Sequence, residues 1–269
     1  MRRQALALPV LFVAGCIFDA PEDAVTDPAA TSPTTMGATT DFYDIVYVAK
    51  GTQLRVYEGD VLTYTATDSS TFVELQEDPT LTGAVWALHQ NGDLERWWWN
   101  ASVDYGTQTQ VPSQDTMCDL AVDEDGVPWV TTWSGGQSTL WSRDGAWAST
   151  AIGATNGCAR LATDGTKVYT LAGSSLQEHT TGSSWTFSST LSTTLHDLEV
   201  VDGRAFSHSI ANGTRYIEVF SMDEDRVEAI QPVDHAITDI DTVEDSDGTW
   251  LFVSGSDSDH PVQRYLVVE

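Results

Sequence analysis

From Asp41 onward the chain is a succession of short apolar runs with polar residues interleaved. Examples are Cys118-Asp119-Leu120-Ala121-Val122 and His196-Asp197-Leu198-Glu199-Val200, followed by Pro128-Trp129-Val130-Thr131-Thr132, Val168-Tyr169-Thr170-Leu171 and Trp250-Leu251-Phe252-Val253. Gly, Asp, Asn and Ser bound these runs, and the spacing of three to four that marks an amphipathic helix is scarce, so the pattern predicts an all-β chain. Five Asp-Gly pairs and the pairs Asn91-Gly92, Asn156-Gly157 and Asn212-Gly213 supply residues that tolerate positive φ, which tight hairpins require.

Four of the Asp-Gly pairs keep a register. Gly126, Gly165, Gly203 and Gly248 follow one another at 39, 38 and 45 residues, and Gly83 precedes the first by 43. An apolar strand leads into each pair and another leaves it. A repeated four-stranded unit of about 40 residues predicts a β-propeller. The 228 residues from Phe42 to Glu269 divide into six units of 38. Six blades is the reading taken, with five as the alternative. The first and last units each show three strands, which ring closure by strands from both termini would complete.

Ten tryptophans and 41% apolar residues suit a folded domain rather than an acidic disordered chain. The 40 acids against 12 Lys and Arg give a net charge of −28. That excludes nucleic acid as a partner, since phosphate binding needs clustered cations. The acidity is partly local: 27 of the acids are Asp, the turn former.

The N-terminus reads MRRQALALPVLFVAGC: two arginines, an apolar stretch too short to span a bilayer, then small residues before Cys16. Val13-Ala14-Gly15-Cys16 resembles the bacterial lipoprotein box. The resemblance implies a signal peptide over 1–15 and a lipidated Cys16. It also implies an outer-membrane destination, because Ile17 is not the aspartate that retains lipoproteins at the inner membrane. Residues 16–41, with Pro21, Pro28 and Pro33, read as a flexible tether, and 42–269 as the propeller domain. The segment CDLAVDEDGVPWVTTW resembles NHL-like, regulator-type propeller repeats. Ser142-Arg143-Asp144-Gly145-Ala146-Trp147 approaches an Asp-box but is one residue short, and is read as a turn.

Aligning the innermost strands places Glu74, Asp119, Asp197 and Asp239 at comparable positions, with Ala159 in the slot of the fourth unit. Convergence on one channel would raise the pKa of these acids unless a cation intervenes, and calcium, with its oxygen ligands, is the candidate. The alternative is that they cap nearby backbone amides. Cys118 and Cys158, 40 residues apart, occupy related places on adjacent units, so either a disulfide or two buried thiols is open. The six histidines show no metal-site spacing. Trp98, Trp99, Trp133 and Trp141 are candidate stacking platforms for a glycan, or else packing between blades. Together these readings give an envelope binding module that meets the membrane through its lipid and takes a protein or glycan ligand. A calcium-dependent propeller hydrolase or lactonase, and a carbohydrate-binding module, are the alternatives.

Overall fold

The computed structural model describes Phe18, 22–27, Ala30, 35–38, 45–99, 103–179, 182, 184–187, 195–245, 248–256, 259 and 261–267. Residues 1–15, expected to be a signal peptide, and Cys16 lie outside the described residues. Among the described residues there is no α-helix, and 24 strands form six four-stranded antiparallel sheets arranged as a propeller ring.

The first strand, β1 (Glu22–Val25), belongs to the last blade. Blade one is β2 (Thr35–Ala38), β3 (Ile45–Lys50), β4 (Gln53–Glu58) and β5 (Val61–Thr67). Blade two is β6 (Phe72–Glu77), β7 (Ala84–His89), β8 (Asp93–Trp99) and β9 (Val103–Gln110). Blade three comprises β10 (Thr116–Val122), β11 (Pro128–Ser134), β12 (Gln137–Asp144) and β13 (Ala146–Ala154). In blade four the strands are β14 (Arg160–Asp164), β15 (Lys167–Ala172), β16 (Ser175–Glu178) and β17 (Ser184–Thr186). Blade five holds β18 (Leu195–Val201), β19 (Arg204–Ala211), β20 (Thr214–Ser221) and β21 (Arg226–Val233). Blade six joins β22 (Ile237–Asp245), β23 (Gly248–Gly255) and β24 (Val262–Val267) to β1.

Within 16–41, read from sequence as tether, residues 22–25 and 35–38 are therefore propeller strands. They supply the fourth strands that the first and last units lack. Strand β1 pairs antiparallel with β24, Phe18 bridges Val267, and Glu22 pairs with Arg264 at 3.2 Å, so the two ends of the chain close the ring. Four-residue strands such as Thr-Met-Gly-Ala carry too little alternation to register in a sequence pattern; pairing with a neighbour makes them strands.

Turn chemistry follows the sequence. Asp202-Gly203 and Asn212-Gly213 have positive φ at both residues (49° and 74°, 52° and 84°), the conformation that a two-residue hairpin needs to match strand twist. The core is divided into six apolar layers, one between each pair of neighbouring blades. Blades one and two bury Tyr47, Leu54, Phe72 and Trp97 between them. Among the described residues the layer between blades three and four is the smallest, with Ala121, Leu140, Leu161 and Val168 fully inside it. At that interface Cys118 and Cys158 form a disulfide, with Cα atoms 5.4 Å apart.

Candidate functional site: an acidic axial ring around one arginine

The innermost strands bring Glu74, Asp119, Asp197 and Asp239 together around the ring axis. Each of these strands has a register shift at the acid: between Phe72 and Glu74, Met117 and Asp119, His196 and Glu199, and Ile237 and Asp239. A bulge inserts an extra residue and re-aims the side chain beside it. In blade five it also places Asp197 at φ 61°, a left-handed conformation that Asp tolerates better than most residues.

The carboxylates stitch blades together. Asp119 Oδ1 accepts from the N–H of Leu120 and its Oδ2 from the N–H of Leu161 in the next blade, both at 2.9 Å. Asp197 repeats the pattern with Leu198 and, across the blade boundary, Ile240, again at 2.9 Å. Asp239 accepts from Met36 N–H at 2.5 Å, which joins blade six to blade one. In blade one Thr35 fills the equivalent place: its hydroxyl accepts from Leu75 N–H at 3.0 Å and donates to Glu74.

This register corrects the fourth unit. The bond from Leu161 to Asp119 makes Leu161 the equivalent of Leu75 and Ile240, so the slot belongs to Arg160, not Ala159. Strand β14 has no bulge, and an alignment of innermost strands that assumes one in every unit misplaces the slot by one residue. Ala159 is buried, and its carbonyl accepts from Thr131 Oγ1 at 2.8 Å. The ring thus reads Thr35, Glu74, Asp119, Arg160, Asp197, Asp239, with one cation among four acids.

Electrostatics follow from burial and crowding. Asp119, Asp197 and Asp239 are buried, whereas Glu74 and Arg160 are partly exposed. Burial, reinforced by the charges of Asp119 and Asp197, pushes Glu74 well above the usual carboxylate range. Burial raises Asp119 to about 7 against the pull of Arg160. Asp239 is raised by burial and by Glu74 and Asp197, and carries the proton of a hydrogen bond to Asp197. For Asp197 burial is outweighed by that bond, by Arg160, by His208 and by the Ile240 amide, so it is lowered and stays ionised. Burial works against the Arg160 charge, but Asp119, Asp197, Glu74 and Asp239 all hold its proton in place.

A deeper tier lies two residues further along two of these strands. Glu199 and Asp241 are buried; Asp241 Oδ2 accepts from Ala38 N–H at 2.6 Å and Oδ1 from Thr242 N–H at 2.8 Å. Burial, with the charge of Asp241 adding, raises Glu199, and burial raises Asp241 to about 8. The sequence pattern did not place Arg160, Glu199 or Asp241 on the axis. The two acids had a signal, since residues i and i+2 of a strand share a face; Arg160 had none without the register.

Beside the ring, the His196 and His208 imidazoles stack with centroids 5.2 Å apart. Burial lowers both, His208 to about 4, so both are neutral near pH 7. Ser207 Oγ donates to the carbonyls of His196 and Asp197 at 2.7 and 2.9 Å, which occupies its hydroxyl in holding the bulge.

Trp98 lies on blade two, Trp133 and Trp141 on blade three. Trp141 packs against the layer between those blades and donates to Thr132 Oγ1 at 3.0 Å. Trp133 is half-buried and donates to the Thr155 carbonyl at 3.5 Å. The side chain of Trp99 lies outside the described residues.

Calcium needs six to eight oxygens at 2.3–2.6 Å. Asp119 and Asp197 spend both oxygens on backbone amides and Arg160 supplies positive charge. Among the described residues the axial acids do not gather three ligand oxygens within 4.8 Å of one another. The donor set does not fit a calcium shell.

No protein-family profile matches the chain, and no curated protein matches it in sequence. Solved structures do match in fold. A luciferin-regenerating enzyme aligns with a TM-score of 0.66 at 12% identity, over 92% of this chain and 95% of that one. A gluconolactonase from Xanthomonas campestris aligns with a TM-score of 0.66 at 13% identity, over 93% and 89%. A streptogramin B lyase aligns with a TM-score of 0.58 at 8% identity, over 85% and 77%. At such identities the likeness shows the six-bladed propeller, a fold that hosts enzymes, and carries no activity across.

Proposed function

We propose that this chain is a lipid-anchored, extracytoplasmic propeller that works as a binding module of the cell envelope, not as an enzyme. One observation carries this reading. The acids that would form a catalytic centre on the axis are committed to joining blade to blade, Asp119 to blade four, Asp197 to blade six and Asp239 to blade one. Carboxylates held by backbone amides and an internal guanidinium make a rigid hub, which suits a scaffold whose outer surface meets the partner. At −28 the surface favours a cationic protein partner and disfavours an anionic one. Anchorage rests on the lipoprotein box ending at Cys16. The acyl chains would hold the chain at the membrane, with the outer membrane as destination, because each buried methylene contributes about 0.8 kcal/mol.

The test has two arms. Expressed in a bacterial envelope, the full chain should incorporate labelled palmitate and fractionate with membranes, and Cys16→Ser should release it. The purified protein should then bind a fluorescent basic peptide with an affinity that falls steeply with salt. It should hydrolyse lactones and esters no faster than buffer, with calcium or with chelator. Hydrolysis lost on chelation and in Asp119→Asn would overturn the reading.

A further inference from the structure

Away from the axis, blade two holds a cluster that the axial ring does not use. Asp68 stands in the turn between β5 and β6, His89 ends β7, and Glu95 lies on β8. His89 is 1% exposed, and its ring packs on Phe72 with centroids 4.5 Å apart. Its Nε2 lies 3.3 Å from Glu95 Oε2 and its Nδ1 3.8 Å from Asp68 Oδ1, yet neither nitrogen makes a hydrogen bond. One ligand atom from each of the three residues lies within 4.8 Å of the other two.

Leaving a buried polar group unsatisfied is costly, and a neutral imidazole cannot offer N–H to both acids, because one ring nitrogen then turns a lone pair toward a carboxylate. A metal ion between the imidazole and the carboxylates would relieve that conflict, and so would a second ring N–H. Distances decide between them. Charge-assisted N–H···O bonds close to about 2.7–2.9 Å, shorter than either contact here. Nitrogen and oxygen donors at about 2.0–2.1 Å from a tetrahedral zinc are instead separated by roughly 3.3 Å along the edge of the tetrahedron, the spacing of Nε2 and Oε2. We infer that Asp68, His89 and Glu95 form a site for a divalent transition metal of the zinc class. One ion takes one ring nitrogen, so His89 Nε2 and Glu95 Oε2 form the edge that holds it, and Asp68, the most exposed of the three, stands on the solvent side with a carboxylate oxygen close enough to join the shell beside water. Asp68 is pre-positioned by the Ser70 N–H, which donates to its Oδ1 at 2.9 Å, and Glu95 by its place in the β7–β8–β9 ladder.

Cobalt(II) is the probe. The metal-free full chain should take up one equivalent, develop the visible bands of a four-coordinate site, and lose them when zinc is added. His89→Gln and Glu95→Gln should each abolish the bands, while Asp239→Asn on the axis should leave them intact, which separates this site from the channel. Zinc added to the unmutated protein with labelled histidine should shift the His89 imidazole nitrogen selectively, a readout that does not depend on whether a variant folds. Failure of cobalt to bind would overturn the inference. So would bands that survive His89→Gln, or a His89 nitrogen signal unmoved by zinc. None of these results bears on the envelope-binding reading, which concerns Cys16 and the outer surface.

Discussion

Removing the Cys118–Cys158 disulfide should weaken one blade boundary more than the other five. The bond spans 40 residues and joins blades three and four at the smallest of the six apolar layers. In the chain-entropy relation a closed loop of that length restricts the unfolded chain by about 4 kcal/mol at 25 °C. For a domain of this size each kcal/mol moves Tm by roughly 2–4 °C, so the double variant Cys118→Ala/Cys158→Ala should melt about 8–16 °C lower. Calorimetry of the oxidised protein and the variant measures this. Native-state hydrogen exchange adds the location: the amides of Leu120 and Leu161, which bond to Asp119 between these blades, should lose most protection. A fall in Tm below 2 °C would refute the argument. Loss of protection spread evenly around the ring would refute its claim that this boundary depends on the bond.

The axial acids set a pH dependence whose sign follows from their shifts. Asp119 and Asp241 titrate at about 7 and about 8 in the folded protein against an ordinary value of 3.8, so the folded state holds protons that the unfolded chain releases. Stability should therefore fall as pH rises from about 4 through 8. For the buried Asp241 the displacement corresponds to about 6 kcal/mol at most. Denaturant midpoints at pH 5 and 8.5 should show the decline, and Asp241→Asn should flatten its upper part; a midpoint that rises over this range would contradict the assignment. Arg160→Met removes the ring's cation and should cost about 3 kcal/mol at pH 8. The cost should be less at pH 6, where the acids hold more protons, and Arg160→Lys should recover most of it. A penalty independent of pH would mean that Arg160 acts through packing alone.

The repeat was legible because each blade needs the same things in the same order: an apolar strand, a turn that accepts positive φ, and another apolar strand. Asp202-Gly203 and the strands around it show this within a single hairpin, and they required only local chemistry. The acids on the innermost strands were equally visible, since each stands in the first apolar strand of its unit, ahead of the turn. Strand β14 lacks the bulge of those strands, so Arg160 entered the ring one residue away from where alignment placed the slot, and only the bond from Leu161 to Asp119 revealed the exchange. Strands β1 and β2 were hidden for a related reason: four residues of Glu-Asp-Ala-Val or Thr-Met-Gly-Ala carry too little alternation to register alone and become strands by pairing, β2 with the adjacent β3 and β1 with β24 at the far end of the chain. The sequence by itself determined the blade, because hairpin and strand propensities act over a few residues. Only the tertiary structure decided how the ring closes, what stands among the axial acids and that His89 meets Asp68 and Glu95: the first two depend on contacts between segments far apart in the chain, and the third on the side-chain packing of a turn against a neighbouring hairpin.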